Sequence, residues 1–313
     1  MLSGEKILVT GPTGNIGLPL VDHLARDNDV WAVARFTAAD ARDRARHAGA
    51  TTLALDLAAG DLTELPDDFT YVLHLAVMQG PEPDYDGALR VNAEGTGLLL
   101  QHCRRAKAAL VMSTHSVYQP QPDPLHAFVE TDPLGDAHAP HSPTYSVSKI
   151  AQEAVARTCA RAFGLPVVIA RMNAAYHAHA GLPTLHLERV LAGRRVVTRW
   201  DPCPYSPIHQ DDINEQAAAL LDAASVPATV VNWGGDEAVS VQEWCAHVGR
   251  LVGCEAEVVA REVPGTLRGS IADVTKRAAL TGPCRVGWRE GFRRIVEARF
   301  PDRLVRQEAP GHG

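Results

Sequence analysis

Short apolar runs recur along the first three quarters of the chain, and their pattern predicts strands. They contain many β-branched residues and cover 6–11, 29–35, 50–56, 71–76, 109–114, 166–171 and 228–234. The runs are continuous rather than alternating, which is typical of strands covered on both faces of a sheet. Helical patterns lie between them, notably at 16–26, 87–106, 145–163 and 211–224. This alternation predicts an α/β fold with a Rossmann-type doubly wound parallel sheet.

The alternation weakens after about residue 172, where loop-rich segments precede isolated helical patterns at 241–252 and 288–299. We therefore expect a dinucleotide-binding Rossmann domain at 1–172, with 206–236 returning to the sheet. The tail is expected to be disordered, and it covers 306–313. A smaller C-terminal substrate-binding region is predicted for the remaining segments, 173–205 and 237–305.

The composition is ordinary for a soluble globular protein. Of 313 residues, 46% are hydrophobic and 21% are charged, and the formal net charge is −7. A negative chain disfavours nucleic acid and anionic membranes as main partners. No apolar run approaches the roughly 18 residues that span a bilayer, and the N-terminus leads into a strand without a signal-peptide pattern. We expect a cytoplasmic protein that binds a small-molecule substrate and neither nucleic acid nor membrane.

The cysteines and histidines do not predict a disulfide framework or a metal site. The six cysteines are scattered without paired spacing. Histidines lie close together in loop-like segments, where His138 is near His141 and His177 is near His179 and His186. No carboxylate spacing completes a ligand set at either place, so no metal is predicted.

A glycine-rich segment, TGPTGNIG at 10–17, follows the first predicted strand and opens the first predicted helix. Glycines there permit a tight turn and a close approach of the backbone to a pyrophosphate, and the N–H groups of the helix start point at the anion. The alternative is a plain flexible turn. The strand–loop–helix context favours dinucleotide binding by the loop residues Gly11, Thr13, Gly14, Asn15, Ile16 and Gly17.

The second strand ends at Ala34 and is followed by Arg35, with no acidic residue before Asp40. An acidic residue near this point binds the ribose 2′-hydroxyl of NAD, whereas an arginine suits the 2′-phosphate of NADP. NADP is therefore the preferred cofactor, and NAD is the alternative if Arg35 only stacks on the adenine. Asp56, beside Leu57 at the end of the third strand, either accepts from the adenine amino group or caps a helix.

The most specific local pattern is YSVSK at 145–149, at the start of a long predicted helix. A spacing of four puts the side chains of Tyr145 and Lys149 on one helix face. The pKa of tyrosine is ordinarily about 10, but a neighbouring ammonium and a positive nicotinamide ring lower it. Tyr145 can then take a proton from an alcohol, or return one to a ketone, while a hydride moves to or from the cofactor. The alternative is an exposed pair on an ordinary helix.

Two further polar residues lie where predicted strands end or helices begin. Thr114 ends the fifth strand, where the active-site groups of open α/β sheets collect, and its hydroxyl can hydrogen-bond to the reacting oxygen. Ser113 and Ser116 compete for that role, and a structural hydroxyl is the alternative. Asn92, on the helix after the fourth strand, either bonds to backbone and holds a water near Lys149 or is a plain polar helix residue.

Together these motifs resemble the extended short-chain dehydrogenase/reductases of the NAD-dependent epimerase/dehydratase family. The segments TGPTGNIG, HLA, VNAEGT, STHSVY, YSVSK and PIHQDD occur in that family's order and spacing, from about residue 5 to about residue 300. The resemblance implies a catalytic set of Thr114, Tyr145 and Lys149 with Asn92 in support. It also implies that Lys149 binds the nicotinamide ribose and that two copies form a homodimer through the helices at 87–106 and 145–163. Residues implied to line the cofactor are His74, Leu75 and Ala76.

Two departures from the family pattern bear on a nucleotide-sugar substrate. Ala174 stands where the family has an asparagine that helps to hold the nucleotide-sugar phosphates, and Asn173 comes one residue early. Tyr205 stands where many such enzymes have an arginine that pairs with the diphosphate, and a phenol does not reproduce a guanidinium fork. The nearby positive charges that remain are Arg194, Arg195, Arg199 and Arg268.

A third departure is that His115 and Ser116 follow Thr114, where the family's 4,6-dehydratases have Asp-Glu, which argues against dehydration by that route. We therefore predict an NAD(P)-dependent oxidoreductase that transfers a hydride at a secondary alcohol or ketone of a small molecule. The alternatives are a sugar or nucleotide-sugar epimerase with tightly held NAD, and a non-catalytic redox-sensing dinucleotide-binding protein. The residues expected to contact the substrate are Met78, His115, Ser116, Asn173, Tyr176, His177 and Tyr205.

Overall fold

The computed structural model describes residues 2–135, 137 and 141–305. The strands in this part of the chain are β1 (Lys6–Thr10), β2 (Asp29–Ala34), β3 (Thr51–Ala54), β4 (Tyr71–His74), β5 (Ala108–Thr114), β6 (Ala127–Phe128), β7 (Val167–Met172), β8 (Ala175–Tyr176), β9 (Val196–Thr198), β10 (Pro204–Tyr205), β11 (Ile208–His209), β12 (Thr229–Trp233), β13 (Val239–Ser240), β14 (Val258–Ala260) and β15 (Ile271–Ala272). The α-helices are α1 (Gly17–Leu24), α2 (Ala41–His47), α3 (Tyr85–Leu89), α4 (Gly95–His102), α5 (Tyr145–Phe163), α6 (Leu182–Leu191), α7 (Gln210–Asp222), α8 (Val241–Val252), α9 (Thr275–Thr281) and α10 (Trp288–Arg299).

Seven strands form one sheet in the order β12–β7–β5–β4–β1–β2–β3, and every neighbouring pair is parallel. These seven strands coincide with the predicted apolar runs, so the prediction of an α/β fold with a doubly wound parallel sheet is confirmed. β2 and β3 lie on one side of β1, whereas β4, β5, β7 and β12 lie on the other. The order therefore reverses between β1 and β4, and open sheets of this kind bind ligands beyond the carboxyl ends of the strands at that point.

The apolar runs are continuous because both faces of the sheet are covered. Within β1, Ile7 and Val9 belong to the core on one face and Leu8 to the core on the other, and all three are fully buried. Helices α1 and α7 contribute to the first core, and α4 and α5 contribute to the second. Full burial of one such side chain stabilises the fold by about 1.5–3 kcal/mol, so the paired cores hold the strand ends in place.

A third apolar core lies in the part of the chain that follows β7. It contains the buried Trp244 of α8, Leu187 of α6, Phe292 of α10 and Tyr176 of β8. Ser240 and the third residue of α8, Glu243, form a capping box that satisfies the N–H groups at the start of that helix. This core positions the C-terminal residues that reach the cleft described below.

Three of the predicted helices match their predicted bounds, and one is divided, while three short helices were not predicted. The helices predicted at 145–163, 241–252 and 288–299 have those limits in the structure. The helix predicted at 87–106 is divided into α3 and α4 by a π-helical turn at Arg90–Glu94. The sequence patterns did not predict α2, α6 or α9, which have ten residues or fewer; short helices depend on tertiary packing more than on their own propensity.

The predicted disordered tail, 306–313, lies outside the described residues. Across 2–135, 137 and 141–305, no helix combines the length and the apolar character that a membrane crossing requires.

Candidate active site

A cleft of about 610 Å³ opens at the carboxyl ends of β1, β4, β5 and β7. Its lining combines the glycine loop and the ends of those strands with residues from the C-terminal part of the chain. Thr114, Tyr145 and Lys149 all line it, so the structure brings three of the four predicted catalytic residues together in one cavity, and Asn92 is not among the described lining residues.

The glycine loop packs so closely that side chains would not fit at two of its positions. Gly11 has φ +69°, and a Cβ there would lie 2.8 Å from the backbone nitrogen of Ala76. A Cβ on Gly17 would overlap the carbonyl oxygen of Gly11. Helix α1 begins at Gly17, and the N–H groups of a helix's first turn have no partner within the helix. The loop therefore provides the tight turn and the helix start that a dinucleotide pyrophosphate requires.

A second cavity of about 280 Å³ lies on the other side of the same loop. It shares Gly11 and Val77 with the cleft. Two adjoining cavities that meet at a glycine loop fit the two halves of a dinucleotide. The predicted cofactor residues that line this second cavity are Gly11, Thr13, Arg35, Asp56, Leu57 and Ala76, while Gly14, Asn15, Ile16, Gly17 and Leu75 line the cleft itself.

Arg44 of α2 joins Arg35 in the second cavity. Arg44 was not among the residues predicted from the sequence, because α2 was not predicted and nothing in its local pattern brings Arg44 near the end of β2. Asp56 accepts a hydrogen bond from the backbone N–H of Ala58 at 3.0 Å and so caps a short 3₁₀ helix. Of the two roles predicted for Asp56, helix capping is the one that its observed contact shows. Asp56 also lines the second cavity.

Tyr145 and Lys149 occupy the first two turns of α5. The Lys149 ammonium donates a hydrogen bond to the Met112 carbonyl oxygen at 2.6 Å, and the residue is 2% exposed. Burial lowers the pKa of Lys149 to about 7, although the nearby carboxylate of Glu153 opposes that shift. The amine therefore changes its charge near neutral pH.

The pKa of Tyr145 differs from the sequence-based expectation. Burial raises the pKa of the phenol above its ordinary value, and a side-chain hydrogen bond with Thr114 opposes that rise. Lys149 is not among the causes of the shift in the protein alone. The lowering that the sequence predicts therefore depends on further positive charge entering the cleft, since desolvation disfavours a phenolate that has no cation beside it.

The serines that flank Thr114 differ in their availability. The Ser113 hydroxyl donates to the buried carboxylate of Glu153 at 2.6 Å. Thr114 Oγ1 accepts from the Ser116 N–H at 3.1 Å, and in the protein alone the Thr114 side chain is also hydrogen-bonded with the Tyr145 phenol. Both candidates line the cleft with Thr114, but the Ser113 hydroxyl is already engaged by Glu153.

Asn92 lies in the π-helical turn and bonds to the backbone. Its Oδ1 accepts from the Met78 N–H at 2.7 Å, and its Nδ2 donates to the Met78 carbonyl oxygen and to Ser148 Oγ, both at 2.9 Å. Such single π-turns occur frequently at functional sites. Asn92 therefore ties the segment after β4 to α5 one residue before Lys149.

A buried histidine network that was not predicted from the sequence supports the same segment. The Ala76 N–H donates to Thr10 Oγ1 at 3.2 Å, and Thr10 lies 2.7 Å from His74 Nδ1. His74 Nε2 lies 2.7 Å from Thr96 Oγ1, which in turn donates to the Asn92 carbonyl oxygen. Burial lowers the pKa of His74 to about 3, so the ring is neutral. His74 therefore supports the cleft from beneath rather than lining it.

A buried ion pair anchors α5 one turn beyond Lys149. Arg171 at the end of β7 donates two hydrogen bonds to Glu153, at 2.8 and 2.7 Å, and both residues are at least 98% buried. Removing one partner of a buried ion pair lowers the free energy of unfolding by roughly 3–5 kcal/mol, because the remaining charge is left buried and unpaired. In the sequence, Glu153 comes one helical turn after Lys149. That spacing does not identify Arg171 on β7 as the partner of Glu153.

The predicted substrate residues divide into those in the cleft and those outside it. Asn173 and Tyr205 line it, as do His115 and Ser116. Both ring nitrogens of His115 are buried and make no hydrogen bond with the described protein atoms, so a substrate hydroxyl does not reach them in this conformation. Asn173 already bonds Ser206 and Ser270, which ties it to the C-terminal part of the chain.

The structure places three other predicted substrate residues differently. Tyr176 is 1% exposed, and its ring stacks on Phe292 in the third core, because β8 turns it away from the cleft. His177 lies against the outer side of the glycine loop, where Nε2 is 3.0 Å from the Asn15 carbonyl oxygen. The backbone of Met78 is hydrogen-bonded to Asn92, and Met78 is not among the described residues that line the cleft. Its neighbours Val77 and Gln79 line the cleft instead.

The histidine groups considered for a metal also have separate places in the fold. His177 and His179 lie outside the cleft, His186 lines it, and His138 is outside the described residues. Within the described ranges, no three histidine, cysteine, aspartate or glutamate side chains are grouped so that they could hold a metal ion.

Comparison with known proteins agrees with the fold and the motifs. Residues 7–202 match the model of the NAD dependent epimerase/dehydratase family. The chain belongs to this family. The predictions of the family and of an NAD(P)-dependent enzyme of short-chain dehydrogenase/reductase type are thereby confirmed at the level of the family.

The known proteins that this chain resembles differ in their named activities. The L-arabinose 1-dehydrogenase (NAD(P)(+)) of Haloferax volcanii is 31% identical over 178 residues, which cover 54% of this chain and 66% of that enzyme, just under two thirds. The UDP-glucose 4-epimerase of Thermus thermophilus, solved in complex with NAD, is 26% identical with a TM-score of 0.76, covering 93% of this chain and 98% of the other.

The UDP-glucuronic acid 4-epimerase of Bacillus cereus, solved with UDP-glucuronic acid and NAD, is 23% identical with a TM-score of 0.78. The match covers 92% of this chain and 96% of the other. At that identity the likeness concerns the fold alone.

Proposed function

We propose that this protein is an NAD(P)-dependent dehydrogenase that transfers a hydride between the cofactor and a carbon bearing a secondary hydroxyl group in a small molecule. The observation that carries the proposal is the presence of Thr114, Tyr145 and Lys149 in one cleft next to the glycine loop. A dehydrogenase named for a free sugar among the relatives supports the same reading.

In the proposed mechanism the chain's own groups handle the proton. In the oxidation direction the Tyr145 phenolate accepts the hydroxyl proton of the substrate, and in the reduction direction the phenol returns it. The Thr114 O–H, which is hydrogen-bonded with the Tyr145 phenol in the protein alone, donates to the same substrate oxygen in the proposed mechanism. Lys149 lies one helical turn after Tyr145 and is held by the Met112 carbonyl oxygen, and we propose that its ammonium favours the phenolate once the cofactor is bound. When bound, a nicotinamide cofactor supplies the carbon that accepts or returns the hydride.

Turnover of a substrate panel tests the proposal. Purified protein is expected to reduce NADP⁺ or NAD⁺ in the presence of sugars or other small polyhydroxy compounds, measured by the absorbance of the reduced nicotinamide. Binding of a UDP-sugar, with no turnover of any non-nucleotide alcohol or ketone, contradicts the proposal.

A sugar or nucleotide-sugar epimerase is the second candidate. The solved structure of an NAD-bound UDP-glucose 4-epimerase at 26% identity favours it. Against a diphosphate substrate, Asn173 is occupied by Ser206 and Ser270, and Arg268 stacks on Trp200 at 4.3 Å. An epimerase must return the hydride it has taken, so cofactor that stays bound through purification supports this candidate, whereas freely exchanging cofactor supports a dehydrogenase.

We propose NADP as the preferred cofactor, supported by Arg35 and Arg44 in the second cavity. Arg35→Gln is expected to raise the KM for NADP about 10- to 100-fold, because a charge-assisted contact with the 2′-phosphate is lost. The KM for NAD should change much less. Steady-state kinetics with both cofactors measure the two constants, and exposed Arg161→Gln is the matched control. An equal effect of Arg35→Gln on both cofactors contradicts NADP preference.

We also propose that residues 1–172 and 206–236 bind the cofactor, while 173–205 and 237–305 contact the substrate. The separate apolar core of the C-terminal part supports this division. The cytoplasmic location stays a prediction of the sequence.

A homodimer through α4 and α5 is proposed because Leu98 and Val147 expose 41% and 45% of their surface on these helices. Ile150 instead packs on a small core of its own chain, beside Tyr118. Light scattering is expected to give twice the mass of one chain, and Val147→Glu is expected to reduce that mass towards one chain because a buried carboxylate is costly. A wild-type mass of one chain contradicts the dimer.

A further inference from the structure

Trp244 determines which nitrogen of His186 carries the proton. An indole N–H can only donate, and that of Trp244 lies 3.2 Å from His186 Nδ1. Nδ1 is therefore the acceptor, and the proton of the neutral imidazole is on Nε2. Burial lowers the pKa of His186 to about 4, and the positive charge of Arg189 acts in the same direction. The ring is thus a neutral donor at physiological pH.

His186 presents this donor at the cleft. The residue is 93% buried, since 7% of its surface is exposed, and it lines the cleft. In the part of the chain that the structure describes, the only hydrogen bond of the ring is the one at Nδ1. An N–H group in such a position, held by a packed tryptophan, suits an oxygen of a bound molecule.

Arg199 and Tyr205 extend the same surface of the cleft. Arg199 Nη2 donates to the Tyr205 hydroxyl at 3.4 Å, and both residues line the cleft. The Tyr205 and His186 rings each lie 5.7 Å from the Trp244 ring, so the tryptophan links the two. The described lining contains no aspartate or glutamate, although the chain has 37 acidic residues. The donors in this part of the cleft therefore face no protein carboxylate among the described residues.

We propose that His186, Arg199 and Tyr205 bind a carboxylate of the substrate, on a carbon away from the one that exchanges the hydride. The proposal rests on the proposed function and names its substrate class as sugar acids and related hydroxy acids. One guanidinium and one neutral N–H match a single negative charge. A nucleotide diphosphate carries about two charges and is usually held by several cationic or N–H groups.

Kinetics with matched substrates test this site. Each hexuronic acid is compared with the neutral hexose of the same configuration, and a hexose 6-phosphate and a UDP-hexose form two further arms. The wild-type KM is expected to be at least about 10-fold lower for the acid than for the neutral sugar. Arg199→Gln is expected to raise the KM for the acid about 10- to 100-fold while kcat changes less than about threefold, because the contact is remote from the reacting carbon.

Two further variants make the result specific. Arg199→Lys keeps the charge but not the fork, so its KM for the acid should lie between those of wild type and Arg199→Gln. His186→Phe keeps an aromatic ring beside Trp244 but removes the donor, and it should also raise the KM for the acid. Arg194→Gln, which changes an exposed arginine outside the described lining, is the control and should leave both constants as they are.

The outcomes separate this site from the proposed function. An active enzyme that prefers neutral sugars, the 6-phosphate or the UDP-hexose overturns the carboxylate site and leaves the dehydrogenase intact. Calorimetric binding of the hexuronic acid that is lost in Arg199→Gln, with no reduction of either cofactor, supports the site and contradicts the dehydrogenase.

Discussion

Replacing Tyr145 by phenylalanine is expected to lower kcat about 10²- to 10⁴-fold, the usual contribution of a positioned proton donor or acceptor. Only the phenolic oxygen is lost, and it is the group that exchanges a proton with the substrate oxygen in the proposed mechanism. The ring stays in place at the start of α5, so folding and cofactor affinity should be preserved. Single-turnover measurement of reduced cofactor, with a separate cofactor titration, distinguishes the chemical step from binding.

Tyr85→Phe is the control for the loss of a phenol, because Tyr85 is 49% exposed and lies outside the described lining of the cleft. It should retain wild-type kcat and KM. A Tyr145→Phe enzyme with unaltered kcat contradicts the role of the phenol, whereas a lowered affinity for cofactor alone assigns Tyr145 to binding.

Lys149→Met is expected to abolish most activity and yet to stabilise the protein without cofactor at neutral pH. The cost of burying the ammonium appears as the lowered pKa of Lys149, about 7 in the folded chain against about 10.4 in an unfolded one. Between these values the unfolded chain binds more protons, so the free energy of unfolding rises as pH increases from about 7 to about 10. Below the folded pKa the penalty is constant. A methionine of similar length avoids it.

Chemical denaturation at pH 7 and at pH 10, in the absence of cofactor, measures this effect. The difference in unfolding free energy between Lys149→Met and wild type should be largest near pH 7 and should shrink at pH 10, where the wild-type amine is neutral in the folded state. Lys107→Met, which changes an exposed lysine, is the control. A variant that is equally destabilised at both pH values shows that the Met112 hydrogen bond outweighs the burial of the charge, and it contradicts our account of Lys149.

The elements that could be predicted from the sequence are those with a strong local signal. The seven sheet strands were predictable because strands covered on both faces are continuously apolar. The glycine loop and the Tyr145–Lys149 pair were predictable because their spacing is set within one loop and one helix turn. In each case the physical constraint acts between residues that are near one another in the chain.

The residues that were missed depend on contacts between distant segments. Arg171 comes 18 positions after its partner Glu153, and Thr96 comes 22 positions after His74, so neither pairing has a local signature. Tyr176 follows a sheet strand, as active-site residues often do, but the packing of α10 draws it into the third core.

The pKa of Tyr145 was the most consequential difference between sequence and structure. The spacing correctly places a lysine one turn away, but burial in the cleft raises the phenol's pKa in the protein alone. Desolvation cannot be inferred from a five-residue motif, because it depends on β5, α5 and the C-terminal part of the chain together. The Tyr145 phenol therefore has a raised pKa in the protein alone, and it needs added positive charge nearby before it ionises at neutral pH.

The most direct test of this account is the ultraviolet titration of Tyr145, taken as the difference between wild type and Tyr145→Phe, with and without oxidised cofactor. Without cofactor, the tyrosinate signal should appear only above the ordinary tyrosine pKa of about 10. With NADP⁺ or NAD⁺ bound, it should appear at a lower pH, because the positive nicotinamide joins Lys149 beside the phenol. An identical midpoint in both titrations, from a protein that binds the cofactor, would contradict the proposed chemistry.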